Sequence, residues 1–147
     1  VFVDTHSTAN HPPQVFLRST ADGSIIITLK SNSPQDPAHP YHPFLPLHAP
    51  VQFGTLTASD GQTLHYSLAL PPQRVLNKTY PAIVFVYGGP GVQKVRDCWG
   101  GQTGLWQQRL CQQGYAVFSL DNRGSSNRGR VFEQPIYGRL GVVECED

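Results

Sequence analysis

The chain has 147 residues, a formal net charge of +1 and only 14% charged side chains, a balance that favours neither nucleic acid nor an anionic membrane surface as partner. Thirteen prolines, 14 glycines and a 39% hydrophobic content describe an extended, turn-rich chain. No apolar run approaches the roughly 20 residues that a membrane-spanning helix requires.

In chain order, Val1–Asp4 and Gln14–Arg18 read as strands with His11-Pro12-Pro13 between them, and Ser24–Leu29 reads as a third after the Ala21-Asp22-Gly23 turn. The three predict a β-meander. Prolines then fall at 34, 37, 40, 43 and 46, with Pro50 just beyond. Three residues per turn is the period of polyproline II, so an extended, semi-rigid connector is expected. A Pro-x-x-Pro ligand is the sharper alternative, but a connector explains the pattern without a partner. His39, His42 and His48 lie in this stretch without an accompanying cysteine or carboxylate pair, and no metal site is expected. Val51–Thr57 and Thr63–Leu70, joined through Ser59-Asp60-Gly61 and closed by Pro71-Pro72, predict a hairpin of outer antiparallel strands.

After a loop from Gln73 to Thr79, the uncharged run Tyr80–Tyr87 reads as a strand buried on both faces that ends in Gly88-Gly89-Pro90-Gly91. Leu105, Trp106 and Leu110 mark the apolar face of a helix, and Gly114 stands where a helix C′ residue belongs. Ala116–Asp121 is a second buried strand, which makes the segment a βαβ unit. Gly141–Asp147, with Glu144, Glu146 and Asp147, resembles the acidic first turn of a helix. Cys98, Cys111 and Cys145 show no C-x-x-C spacing, which argues against zinc. Buried free thiols are expected, with a Cys98–Cys111 disulfide as the alternative.

Tyr87 is the leading candidate for chemistry. A tetrahedral intermediate of acyl transfer needs donors aimed at its oxyanion, and a phenol at the carboxyl end of a central strand can supply one. The competing reading is a rim tyrosine that packs its ring and hydrates its oxygen. Gly88, Gly89 and Gly91 match neither G-x-G-x-x-G nor the P-loop pattern, so turn geometry explains them. Asp121 and Arg123 read as a pair that shapes the loop after the strand. Ser125 and Ser126 read as turn residues, and Asp4, Glu133 and Glu144 carry no pairing argument.

The Val86–Pro90 segment, then Gln112 to Gly124, Tyr137 to Gly141 and Glu144 to Asp147, resemble the prolyl oligopeptidase family of serine peptidases, most of all the bacterial members of its dipeptidyl-peptidase IV branch. Asp4–Leu29 resembles the last propeller hairpin of that branch, and His39–Pro43 the connection that follows it. The resemblance implies an α/β fold: a partial α/β-hydrolase domain preceded by a terminal β-propeller hairpin and a Pro-rich connector. Residues 1–30 would be the propeller tail, 31–50 the connector, and 51–147 the N-terminal portion of the catalytic domain. It implies release of N-terminal Xaa-Pro or Xaa-Ala dipeptides from peptide substrates, without cofactor or metal. For a full-length bacterial parent it also implies export to the periplasm and a homodimer. In the family, the tyrosine matching Tyr87 donates its hydroxyl to the oxyanion. The other readings are an acylaminoacyl-peptidase or oligopeptidase of the same family, and a non-catalytic module on a hydrolase scaffold.

The family's nucleophilic serine sits in Gly-x-Ser-x-Gly, and this sequence has no such pentapeptide; Gly124-Ser125-Ser126-Asn127-Arg128 fails at its fifth position. The nucleophile and the triad Asp and His are expected beyond the position matching Asp147. The chain is therefore read as an internal fragment, inactive by itself.

Overall fold

The computed structural model describes residues 1–147. The expected meander is present as β1 (Phe2–Thr8), β2 (His11–Arg18) and β3 (Ile25–Lys30), antiparallel and in that spatial order. Gly23, at φ +74°, closes the β2–β3 turn, and Ser19 N–H donates to the Ser24 carbonyl at 3.0 Å. Arg18 ties the meander together, donating from Nε to Asp4 Oδ2 at 2.7 Å and from Nη1 to the Gly23 carbonyl at 2.8 Å. His11-Pro12-Pro13 is not a linker but the start of β2. The prolines are tolerated there because β3 pairs only from Val15 onward and the β1 register shifts between His6 and Thr8.

The proline-rich stretch corrects the polyproline II expectation. Its period of three comes from consecutive turns: Ser33, Asp36 and His39 carbonyls accept from Asp36, His39 and His42 N–H at 2.9–3.1 Å, and Leu45 accepts from His48 at 3.0 Å. Pro34, Pro37, Pro40 and Pro46 each occupy the second position of such a turn, where the fixed φ of proline fits and no N–H is required. The last of these turns lie in a 3₁₀ helix, His42–Leu47. Three residues per turn describes this geometry as well as the extended one.

The second sheet has the order β4 (Val51–Thr57), β5 (Thr63–Ala69), β7 (Ala116–Asp121), β6 (Ala82–Val84). The first three run antiparallel, and β6 pairs parallel to β7 with Ile83 opposite Val117. Helix α1 (Gly101–Gln112) connects β6 to β7 and ends at Gly114, whose φ of +93° is the left-handed C′ conformation expected of it. Alternation along the strands splits the core in two. Ala69 and Val117 pack with Ala49 and Cys111 on the α1 side, while Leu64 and Leu120 pack on Phe132 of the short helix α2 (Arg130–Glu133) on the other.

The helix face differs from the one expected. Leu105 and Trp106 are 44% and 50% exposed, whereas Gln108 and Cys111 are buried with Leu110 packed beside them. Gln108 is inside because it acts as a strand partner: Oε1 accepts from Ala49 N–H at 2.7 Å and Nε2 donates to the Ala49 carbonyl at 2.8 Å. Two satisfied backbone groups make a buried amide acceptable where apolar spacing alone would not place it. The β6 strand is also corrected. It spans only Ala82–Val84 at the sheet edge, and Val84 is 64% exposed, because β7 flanks it on one side and no strand flanks it on the other. All three cysteines are free; Cys111 is buried, as expected of a packed thiol, but Cys145 is exposed. The acidic terminal segment forms one helical turn, α3 (Val143–Glu146), with Glu144 accepting from Gly141 N–H.

Candidate functional site

The parallel pair β6–β7 directs both carboxyl ends to one edge of the sheet. On the β6 side, Phe85 N–H still donates to the Phe118 carbonyl at 2.8 Å, and the chain then leaves the sheet through Tyr87 and Gly88–Gly91. Gly88 and Gly91 have φ of +73° and +75°, which only glycine adopts without strain. The Tyr87 side chain is 53% exposed, and its ring lies along Gly89, where an added Cβ would stand 3.1 Å from Cε1. Its hydroxyl has no protein hydrogen-bond partner. A rim phenol with a free O–H can donate to an incoming oxygen without first breaking another bond.

The loop beyond Tyr87 is fixed by the end of β7. Gly91 N–H donates to the Gly124 carbonyl at 2.9 Å. The buried Asp121 carboxylate accepts from Lys94 N–H at 2.6 Å through Oδ1 and from Val95 N–H at 3.2 Å through both oxygens. Gly124 has no room for a side chain, since a Cβ there would run into Ile136. Ser125, buried, donates its N–H to the Asn122 carbonyl at 3.1 Å, as its reading as a turn residue requires.

Asp121 and Arg123 do not pair with each other, which corrects the sequence expectation. Residues two apart in a continuing strand would share a face, but β7 ends at Asp121 and the chain enters the Asn122–Ser125 turn, so Asp121 meets the β6 loop while Arg123 is carried away from it. Its Nε and backbone N–H donate to Asp147 at 2.8 and 2.7 Å, and Nη1 donates to Asp60 Oδ2 at 2.6 Å. Nη2 stands 2.7 Å from Asp147 Oδ1, close enough for ionic attraction but not aligned for a hydrogen bond. The Asp147 hydrogen bond, ahead of the opposing cost of burial, holds the guanidinium above its ordinary pKa. The Gln62 backbone N–H, followed by the charge of Arg123, holds Asp60 below the usual carboxylate value.

The connector histidines are engaged separately: His39 with Asn32 and His42 with the Pro34 carbonyl. His48 is the hub of a cluster that sequence spacing did not reveal. Asn10 pairs with both Val51 backbone groups, which fixes its amide so that Oδ1 is an acceptor. Nε2 of His48 therefore donates to that oxygen at 3.3 Å, and Nδ1 accepts from the Tyr41 hydroxyl at 2.9 Å. Trp99 stacks on the His48 ring at 6.5 Å and meets Tyr41 edge-on at 5.5 Å. Burial pushes the Tyr41 hydroxyl up, and burial with nearby His11 pushes the His48 imidazole down. Trp99 N–H also donates to Ser7 Oγ at 3.2 Å, and Asp97 accepts from Ala9 N–H at 2.7 Å. The segment following the Tyr87 loop is thus pinned at one end to β7 and at the other to the β1–β2 turn. Asn10, Trp99 and Asp121 went unassigned as anchors because each acts across more than 25 residues of sequence, where local spacing carries no signal.

A mixed sheet with helices on both faces thus ends in a glycine-rich edge bearing a free phenol, and comparison with known proteins gives the class. The sequence profile of the prolyl oligopeptidase family matches residues 102–147. The chain belongs to that family of serine peptidases. Among the relatives it matches are dipeptidyl peptidases. Dipeptidyl peptidase 8 of Mus musculus is 33% identical over 129 residues, covering 80% of this chain, and dipeptidyl peptidase 4 of Trichophyton equinum is 33% identical over 98 residues, covering 66%. The chain spans only 14% and 13% of the length of those two relatives. A Bacteroides ovatus protein assigned as a dipeptidyl aminopeptidase IV superposes with a TM-score of 0.81 at 36% identity, over 99% of this chain and 20% of its own. Dipeptidyl peptidase 4 of Porphyromonas gingivalis shares the fold, with a TM-score of 0.77 at 24% identity over 96% of this chain and 19% of its own.

Proposed function

We propose that this chain is the segment of a serine dipeptidyl peptidase that supplies the oxyanion donor, and that it works within a longer polypeptide carrying the nucleophile. In this reading residues 1–30 are the tail of a β-propeller, 31–50 the connector, and 51–147 the opening of an α/β-hydrolase domain. The substrate is the N-terminus of a peptide, and the product an Xaa-Pro or Xaa-Ala dipeptide. The reading is supported by relatives named as dipeptidyl peptidases and by a structural likeness that runs over nearly the whole chain. The sequence has no Gly-x-Ser-x-Gly, so in this reading the nucleophilic serine lies outside residues 1–147, and by family resemblance the triad Asp and His follow it.

The observation that carries the mechanism is the exposed, unengaged hydroxyl of Tyr87 at the carboxyl end of a parallel strand, on a loop held at several points. Attack by a serine on the scissile carbonyl moves charge onto its oxygen. A donor already fixed at that place stabilises the tetrahedral species more than the planar ground state, which lowers the barrier rather than tightening substrate binding. Tyr87→Phe in the intact protein keeps the ring and its packing on Gly89 and removes only the donor. The expected result is a fall in kcat of roughly 10²–10³ with KM nearly unchanged. Retention of more than about half of kcat would return Tyr87 to a packing role.

A further inference from the structure

A buried carboxylate without a cation is expensive, and Asp121 is one. Its residue is 3% exposed, it joins none of the four ion pairs of the chain, and its hydrogen bonds go to the Lys94 and Val95 amides. The Lys94 ammonium does not compensate it, standing instead over the Phe85 ring at 5.1 Å. Strand β7 needs no acid here for its own sake, since its ladder with β5 is made by the backbone, with Asp121 opposite His65. The carboxylate's effect is on the neighbouring loop. It supplies acceptors for two adjacent N–H groups that would otherwise lack them, and it does so at the far end of the turn that begins at Tyr87. The Gly91–Gly124 hydrogen bond closes the same turn midway.

We propose that Asp121 is a positioning residue for the Tyr87 hydroxyl: by holding the 94–95 backbone against the end of β7, it fixes the path of the 87–95 loop and so the place of the phenol at the sheet edge. This rests on the oxyanion role of Tyr87. Loss of the anchor frees the loop to move by an ångström or so. A donor displaced that far no longer meets the developing charge, while the planar substrate, which uses the donor little, binds as before.

The test is a double-mutant cycle in the intact protein with a Gly-Pro anilide, comparing wild type, Asp121→Asn, Tyr87→Phe and the double variant, each checked for an unchanged thermal melt. Asparagine keeps the shape and one acceptor but sets an NH₂ against the Val95 N–H. Asp121→Asn is expected to lower kcat about 10- to 100-fold with KM within about twofold, and to lower it less than about threefold in the Tyr87→Phe background. An equal fall in both backgrounds, or no fall in the wild-type background, overturns the proposal. Should Tyr87→Phe alone leave kcat intact, the oxyanion reading fails first, and that arm contains no change at Asp121. If Asp121→Asn does not fold, replacing the Lys94 and Val95 amides by esters deletes the two N–H groups from which the carboxylate accepts and leaves Asp121 itself in place. A kcat loss confined to the Tyr87 background again supports the proposal, and its absence overturns it.

Discussion

Strands β6 and β7 run side by side and in the same direction, from runs of similar apolar character, yet their surroundings are opposite. Five of the six residues of β7 are buried, and the turn after it, Asn122–Ser125, is buried throughout. In β6 only Ile83 is partly covered, and the Val86–Tyr87 end is about half exposed. Hydrophobicity states what a strand can bury; its neighbours decide what it does bury. Under the proposed oxyanion role the difference has a use: the buried strand carries the anchors and the exposed one carries the phenol that would meet the substrate. Asp121, Arg123 and Gly124 each reach from the end of β7 to a different element.

The strongest way to break this contrast is at the buried end of β7. Arg123→Ala would leave Asp147, whose side chain is fully enclosed, without its cation, and a cost of about 3–5 kcal/mol is expected in a denaturant titration. Gly124→Ala combines a φ of +99° with a clash on Ile136, so a loss of about 2–5 kcal/mol is expected. On the other side of the comparison, Gly88→Ala meets no atom and only the cost of φ +73°, so about 1 kcal/mol should be lost. If Gly88→Ala cost as much as Gly124→Ala, the distinction between a packed and an open edge would be wrong.

Smaller effects sharpen the contrast. The β6 edge exposes Val84 and Val86 beside unpaired backbone groups, so the isolated 147-residue chain is expected to self-associate in light scattering. Val84→Lys should reduce that association while changing stability by less than about 0.5 kcal/mol. Smaller still is the pH response of the His48 cluster. Its imidazole has a folded pKa below the ordinary 6.5, so the folded state favours the neutral ring. That contribution is present above pH 6.5 and is lost as the pH falls through the lower folded value. Acidification from neutrality should therefore weaken the junction of meander, connector and sheet, and His48→Gln should flatten this part of the thermal-melt profile. Asp60 behaves in the same sense at lower pH, since its depressed pKa makes its contribution disappear only as the pH drops below 3.8.

Much of this architecture was legible in local chemistry. The Asp22-Gly23 and Asp60-Gly61 turns, the C′ role of Gly114 and the buried run Ala116–Asp121 all follow from rules that act within a few residues. What local chemistry could not give depends on contacts distant in sequence. Gln108 is inside because of Ala49, the prolines form turns rather than a rod although both have a period of three, and Tyr80–Tyr87 is open because its far side has no strand. Tyr87 stands out in the sequence by its position before glycines, whereas Asp121, which holds the loop that follows, reads there as a partner of Arg123. Proximity in sequence favours that pairing, and the turn that starts at Asn122, where β7 has ended, separates them.

The oxyanion role of Tyr87 is tested most directly by affinity for a dipeptide boronate, whose tetrahedral adduct with a serine mimics the reaction intermediate. Tyr87→Phe in the intact protein should weaken the boronate by roughly 10²–10³ while leaving the affinity for the dipeptide product unchanged, since only the tetrahedral species uses the donor. Equal affinity of the boronate for wild type and Tyr87→Phe would contradict the account.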